Sequence, residues 1–212
     1  MSPVLTAADA DAFAACIERG GVAIFPADTV YGLACDPESP AAVAQLYALK
    51  GRPADKPAAV MWFDRDAALA TLCDLPLRIR AAVEALTPGP VTLLLPNPAG
   101  RFPLAAGPAG AGAGAALGVR IPDVPALARV RAVVLQSSAN EAGGPDARQV
   151  GEVPEPIRRS ADLVLDAGPL PGTPSTVIDL QRYGRSGDWT VVREGALPAA
   201  DVARALGIVG RP

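Results

Sequence analysis

The sequence predicts an α/β fold with a largely buried sheet, and three observations carry that expectation. Short apolar runs of strand length, bounded by Gly and Pro, recur along the chain. Between them lie stretches whose apolar residues repeat at helical spacing and which open or close on capping residues. The 212 residues are 50% hydrophobic but only 4% aromatic, so small aliphatic side chains must fill the core, on the scale of one domain spanning 1–212.

In chain order, residues 6–19 read as a helix with Thr6 as N-cap and Phe13, Cys16 and Ile17 on one face, ended by Gly20-Gly21. Residues 22–25 are a short buried strand closed by Pro26, and PADTVYGL after it reads as a strand-to-turn connection. Ser39 opens a second helix whose stripe is Val43, Leu46, Tyr47 and Leu49, stopping at Lys50-Gly51-Arg52-Pro53. Strands are then expected at 58–63, 91–95, 119–121 and 133–135, with helices at 77–86 and 126–129. The final third gives strands at 163–165, 176–180 and 189–192 and a helix over 199–206. The low-complexity stretch 103–118 reads as a mobile loop. Its Gly110-x-Gly112-x-x-Ala115 lacks the preceding strand and following helix of a dinucleotide fingerprint.

The chain has no His, which removes Ser-His and Cys-His nucleophile pairs, His general bases and HExxH metal sites. A net charge of −3 argues against a general nucleic-acid or anionic-membrane binder, which needs a basic field over much of its surface, although a local basic pocket is compatible with it. Cys16, Cys35 and Cys73 stand far apart with no CxxC pair, so they read as reduced thiols of a cytoplasmic protein. The start lacks the basic and apolar regions of a leader, and no run suits a membrane span.

Several segments have residues suited to chemistry. The only two lysines, Lys50 and Lys56, fall in KGRPADK with Arg52 between them. Three fixed cations suit a polyphosphate, while Lys50, Gly51 and Pro53 equally suit a helix C-terminus. If Lys50 were a phosphate ligand at an exposed helix end, Lys50→Arg would cost at least about tenfold in kcat/KM and leave folding almost unaffected. Thr29 and Tyr31 follow the first strand, where α/β proteins collect ligands, but Asp28 could as well form an Asx turn. Ser138 and Asn140 end another strand, and Ser175 lies in a similar polar segment; each also suits a turn or cap. Arg120 and Arg193 sit in or beside short apolar strands, where a charge needs an anion or an internal carboxylate.

In their order, PADTVYGLACDPESPAAVAQLYALKGRPADKP, PGPVTLLLP, GVRIP, SSAN, PSTVIDL and VVREGAL resemble the YrdC-like family of threonylcarbamoyl-AMP synthases, from about residue 20 to 197. The resemblance implies a single domain with a twisted mixed sheet, surrounding helices and a concave basic cavity. It implies synthesis of threonylcarbamoyl-AMP and pyrophosphate from L-threonine, bicarbonate and ATP with Mg²⁺, serving threonylcarbamoyladenosine modification of tRNA through downstream transfer proteins. By motif, Lys50, Arg52, Lys56, Ser138, Asn140 and Arg193 would bind ATP, with Lys50 and Arg52 stabilising charge during catalysis. Thr29, Arg120 and Ser175 would bind threonine. On that assignment Ser138→Ala and Asn140→Ala would weaken ATP binding without unfolding the domain. The chain departs from the family pattern at Ala27, where a Thr is usual, at Met61, near a frequent His, at Ala116, and after Asn140, where a Ser is usual. Two other readings use the same concave surface: a non-catalytic RNA-binding module, and a paralogue acting on another amino-acid or carbamoyl substrate.

Overall fold

Thr6 caps the first helix reciprocally: its hydroxyl accepts from the Asp9 amide while the Asp9 carboxylate accepts from the Thr6 amide, and α1 runs Ala7–Glu18. The computed structural model describes residues 4–107 and 115–209. Strand β1 (Ala23–Pro26) turns through four residues into β2 (Tyr31–Cys35), and Ser39 caps α2 (Pro40–Lys50). There follow β3 (Ala59–Met61), α3 (Arg65–Thr71), α4 (Leu77–Leu86), β4 (Val91–Pro96), α5 (Pro103–Ala106), β5 (Ala116–Arg120) and β6 (Val134–Ser138). The chain continues through α6 (Glu155–Ser160), β7 (Leu163–Val164), β8 (Thr176–Asp179), α7 (Tyr183–Ser186), β9 (Thr190–Arg193) and α8 (Ala199–Val209).

Among the described residues nine strands make one sheet in the order β7-β1-β2-β6-β3-β5-β4-β8-β9. Pairs β1–β7, β3–β5 and β4–β8 are parallel and the other neighbours antiparallel, so the sheet is mixed. Side chains alternate between its faces. Leu33, Val60, Leu93, Leu117, Val119, Leu135 and Ile178 pack on one face with Leu46 of α2, Ile79 and Val83 of α4, and Val202 and Leu206 of α8. On the other face an apolar cluster forms at one end among the described residues, where Phe13 and Ile17 of α1 meet Phe25, Ala34, Met61 and Val134. Phe13, Phe25 and Phe63 stack there in tilted and edge-on contacts with centroids 5.2–6.0 Å apart. Beyond Met61 that face carries the half-buried Ala59, Gly118, Leu94 and Val177. A half-open sheet floor of small side chains is what positions the site.

The structure corrects several sequence expectations. Tyr31–Cys35 is a strand and not a connection. All five of its residues are buried, so it lacks the alternation that marks a half-exposed strand. Helix α3 went unread although Asp64 caps it, accepting from the Ala67 amide at 2.9 Å; seven residues give too little periodicity. The 126–129 helix is a single 3₁₀ turn at Pro125–Leu127. Strand β6 extends through Ser137 and Ser138, which pair with Leu33 and Gly32. The expected loop at 103–118 begins as α5 and ends inside β5, while Gly110 and Gly112 lie outside the described residues. Cys16 and Cys35 are buried and Cys73 is exposed, all unbridged. None of the described helices is long and apolar enough to cross a membrane.

Candidate functional site

Helix α2 stops because Gly51 adopts φ +56° and its amide, with that of Arg52, closes on Ala48 and Tyr47. This stop puts Lys50 in the last turn, where its side chain crosses to the end of β6. The ammonium donates to the Ser138 carbonyl, to the Asn140 carbonyl at 2.6 Å and to Asn140 Oδ1 at 2.8 Å. Ser138 Oγ donates to the same Asn140 Oδ1 at 2.7 Å, and Asn140 Nδ2 donates to the Gly144 carbonyl at 2.6 Å. Lys50 is 2% exposed. Burial pulls its pKa down to about 8, Arg52 adds to the fall, and Asp146 opposes it. The partners are neutral oxygens, which compensate a buried charge less completely than a carboxylate would.

The exposed helix-end position expected for Lys50 is therefore wrong, and with it the expectation that Lys50→Arg would spare folding. Asn140→Ala, expected to weaken ATP binding without unfolding the domain, should also lower stability, because the buried Asn140 amide is bonded at both ends. The three cations of KGRPADK are not equivalent. Arg52 lies 5.8 Å from the Tyr47 ring centroid and donates to the Pro57 carbonyl, and its Nε is buried without a partner among the described residues. Lys56 is exposed.

Arg120 ends β5 opposite Met61 of β3. Its Nη2 donates to Asp28 Oδ1 at 2.6 Å and to Thr29 Oγ1 at 3.3 Å, and its Nη1 reaches Gln136 Oε1 only at 3.4 Å. Its Nε is buried and has no partner among the described residues. The pair is 4% exposed at Arg120 and 7% at Asp28. Burial raises the Asp28 pKa more than Arg120 lowers it, and burial likewise depresses that of Arg120, helped by the charge of Arg193. Both shifts have one cause: a low-dielectric setting disfavours either charge.

Across the sheet, Arg193 donates to the Ser175 carbonyl at 2.7 Å and to Ser175 Oγ at 3.2 Å, and the Ser175 and Thr92 hydroxyls lie 2.9 Å apart. A polar track thus crosses the open face from Lys50 through Ser138, Gln136 and Arg120 to Arg193, Ser175 and Thr92. The structure brings Lys50 to Ser138 and Asn140, Thr29 to Arg120, and Arg193 to Ser175. Sequence reasoning did not single out Gln136, just past the strand expected at 133–135, or Thr92, inside the strand expected at 91–95, and gave Asp28 only an Asx turn as its role. For Asp28 the signal was Arg120 itself, since a charge in an apolar strand needs a carboxylate or an anion. Of the departures from the family pattern, Ala27 and Met61 share the apolar cluster under α1. Apolar side chains at both positions pack together there. A separate cavity of about 880 Å³ opens at the far ends of β4 and β8, lined by residues such as Pro96, Asp179, Arg182 and Trp189. It contains none of the candidate residues.

Residues 15–195 match the model of the family designated Sua5_yciO_yrdC and described as "Telomere recombination". The chain is 35% identical over 176 residues to a threonylcarbamoyl-AMP synthase of Chromohalobacter salexigens, covering 81% of this chain and 92% of that one. It is 33% identical over 170 residues to a threonylcarbamoyl-AMP synthase of Stutzerimonas stutzeri, covering 78% and 89%. Among solved structures, the crystal structure of P. abyssi Sua5 complexed with L-threonine superposes with a TM-score of 0.79 at 27% identity. That match covers 95% of this chain but 58% of the P. abyssi chain, so this chain spans less than two thirds of that protein.

Proposed function

The chain belongs to the Sua5/YciO/YrdC family, and from that premise we propose that it is a threonylcarbamoyl-AMP synthase, making threonylcarbamoyl-AMP, pyrophosphate and water from L-threonine, bicarbonate and ATP. The observation that supports this reading is the polar track, in which two buried cations with different partners, Lys50 against the end of β6 and Arg120 at the end of β5, are linked through Ser138 and Gln136. One end is a cluster of cations and small polar groups suited to phosphates. The other is a buried guanidinium with an unused donor, suited to an α-carboxylate.

In this reading Arg120 binds the threonine carboxylate, with Thr29 and Ser175 beside it. Arg52, Lys56, Ser138 and Arg193 hold ATP, and Lys50 sets the geometry of the Ser138–Asn140 turn as well as supplying charge. Mg²⁺ fits the phosphate end: Asp146, 3.4 Å from Asn140 Nδ2, is a single carboxylate of the kind Mg²⁺ shares with substrate phosphates. Bound there, the ion would offset charge on the triphosphate. The chemistry needs no protein nucleophile. The carbamate oxygen of the threonine adduct attacks the α-phosphorus and pyrophosphate leaves, so the protein contributes positioning and charge stabilisation. The adenylate then serves the threonylcarbamoyl modification of tRNA.

The test is pyrophosphate release with each reactant omitted in turn. Turnover that requires both L-threonine and bicarbonate supports the reading, and equal release without either one overturns it. Serine and valine in place of threonine separate the synthase from a paralogue with another amino-acid substrate.

A further inference from the structure

We propose that the Asp28 carboxylate is the general base of the reaction, taking the proton that the substrate ammonium must lose as its nitrogen bonds to carbon. The proposal rests on the synthase reading above and adds to it the residue that moves this proton. The balance is one ammonium, one bicarbonate and one Asp28 carboxylate giving one carbamate, one water and one Asp28 carboxylic acid. The N–C bond forms, a C–O bond of bicarbonate breaks with its oxygen leaving as water, and the remaining proton goes to Asp28 and later to solvent.

The geometry points to Asp28 in three ways. An α-amino acid carries its ammonium and carboxylate on one carbon, so a carboxylate on Arg120 brings the ammonium beside whatever else Arg120 holds. What Arg120 holds is Asp28 Oδ1, at 2.6 Å from Nη2. The guanidinium has capacity for a second acceptor, since among the described residues Nε has no partner and Nη1 has only the 3.4 Å contact with Gln136. Asp28 Oδ2 is anchored by the Asp123 amide at 3.2 Å, which holds the carboxylate in place when Arg120 turns part of its charge to a substrate.

The charges around Asp28 suit a base. Arg120 at the end of β5 favours its ionised form, Asp123 in the segment after β5 disfavours it, and Arg193 on β9 acts through Arg120. Burial outweighs these and raises the Asp28 pKa. A substrate carboxylate that draws on the Arg120 charge raises it further, so the base strengthens when the amino acid is bound. Among the described residues no other carboxylate hydrogen-bonds to Arg120: Asp146 sits at the Lys50 end and Asp166 on the Tyr31 hydroxyl.

The experiment measures threonine- and bicarbonate-dependent pyrophosphate release for wild-type, Asp28→Asn and Asp28→Glu protein between pH 6.5 and 9.5, with ATP affinity determined in parallel. At pH 7 the Asn variant should be slower by about 100-fold, within the range of lost general-base catalysis, with ATP affinity unchanged. The ratio to wild type should shrink below about 10-fold by pH 9.5, as solution supplies the neutral amine directly. The Glu variant, which keeps a carboxylate, should follow the wild-type pH profile at a lower rate. A deficit of the same size at every pH, or wild-type turnover in the Asn variant, overturns the proposal and leaves Asp28 as the counter-ion of Arg120. A wild-type protein that releases no pyrophosphate with threonine and bicarbonate overturns the synthase reading itself, and this proposal with it.

Discussion

The two ends of the polar track each bury a cation, and they satisfy it in opposite ways. At the Lys50 end three neutral oxygens surround one ammonium, and the Ser138 hydroxyl and Asn140 amide complete a closed set of bonds. At the Arg120 end the counter-ion is a full carboxylate, yet among the described residues one donor has no partner and another has a long contact. The Lys50 end is assembled in advance and holds a turn in shape. The Arg120 end is charge-balanced but incompletely bonded, which suits a site completed by its ligand.

The largest effect is expected where the bonding is closed. Lys50→Met takes the ammonium from the Ser138 and Asn140 carbonyls and leaves Asn140 Oδ1 with only the Ser138 hydroxyl, and should cost about 3 kcal/mol, a fall of roughly 6–12 °C in Tm for a chain of this size. Lys50→Arg should also lower Tm, by about half as much, because a planar guanidinium cannot present three donors around one point. Thermal melts at pH 7 check both, and unchanged melting would return Lys50 to the role of a helix-end cation. The depressed pKa, about 8 against an ordinary 10.5, adds a sign test. Below pH 8 both folded and unfolded chains carry the proton. Between 8 and 10.5 only the unfolded chain does, so this group's contribution to stability rises across that window. Turnover that depends on the ammonium falls over the same window, and parallel melts and rates separate the two.

Arg120→Met comes next. It removes the counter-ion of a buried carboxylate, but Asp28 can respond by taking up a proton, which limits the cost to about 2 kcal/mol. The variant's folded state then binds a proton that the unfolded chain has released. Its stability should therefore fall, relative to wild type, as pH rises from 5 to 7. Threonine affinity should be lost while ATP affinity is retained, because the phosphate end does not depend on this guanidinium. Calorimetry with each ligand checks the split, and equal loss of both would mean the two ends are one unit.

Much of this contrast was legible in the sequence, and what was not has physical causes. Capping gave α1 and α2 nearly to the residue, because Thr6, Ser39 and Gly51 act through their own side chains or φ angles. Strand β2 was hidden because burial on both faces removes its period, and β6 was read short because its last three residues, Gln136, Ser137 and Ser138, are polar. Arg120 was recognisable as a charge needing a partner, but the partner lies 92 residues away, a distance that local pattern cannot bridge. Lys50 looked exposed because helix ends usually are, and only the sheet order shows that this one ends against β6. The resemblance to a family singled out residues that the fold brings together, Lys50 with Asn140 and Thr29 with Arg120, without saying which were bonded to one another.

A smaller effect is expected from Ser175→Ala. The hydroxyl meets Thr92 Oγ1 at 2.9 Å and Arg193 at 3.2 Å, and loss of a neutral buried bond costs about 1 kcal/mol. Threonine KM should rise several-fold with kcat less affected, since the change loosens Arg193 beside Arg120 without removing a charge. A fall in kcat alone would place Ser175 at the reacting atoms instead.

The smallest stability effect, and the sharpest contrast with Lys50, is expected at Lys56. Its backbone is fixed, with its amide on the Pro53 carbonyl and its own carbonyl accepting from the Tyr47 hydroxyl at 3.0 Å, but the side chain is exposed. Removing it leaves no buried acceptor unpaired and no cavity, so Lys56→Ala should move stability by no more than about 0.5 kcal/mol. Any function it has must then come from its charge acting on something that arrives from solution. A solvated ammonium reaching a triphosphate is screened by salt, whereas a buried one is not. Lys56→Ala should therefore weaken ATP binding several-fold at low ionic strength, with the deficit shrinking as salt is raised, and Lys56→Arg should restore most of the affinity because no tight cradle selects the ammonium. Titration of ATP into the three proteins at two salt concentrations reads this directly. If Lys56→Arg fails where Lys56→Ala fails, the site closes around this lysine when nucleotide binds, and the phosphate end is less fully assembled in advance than its hydrogen bonds indicate.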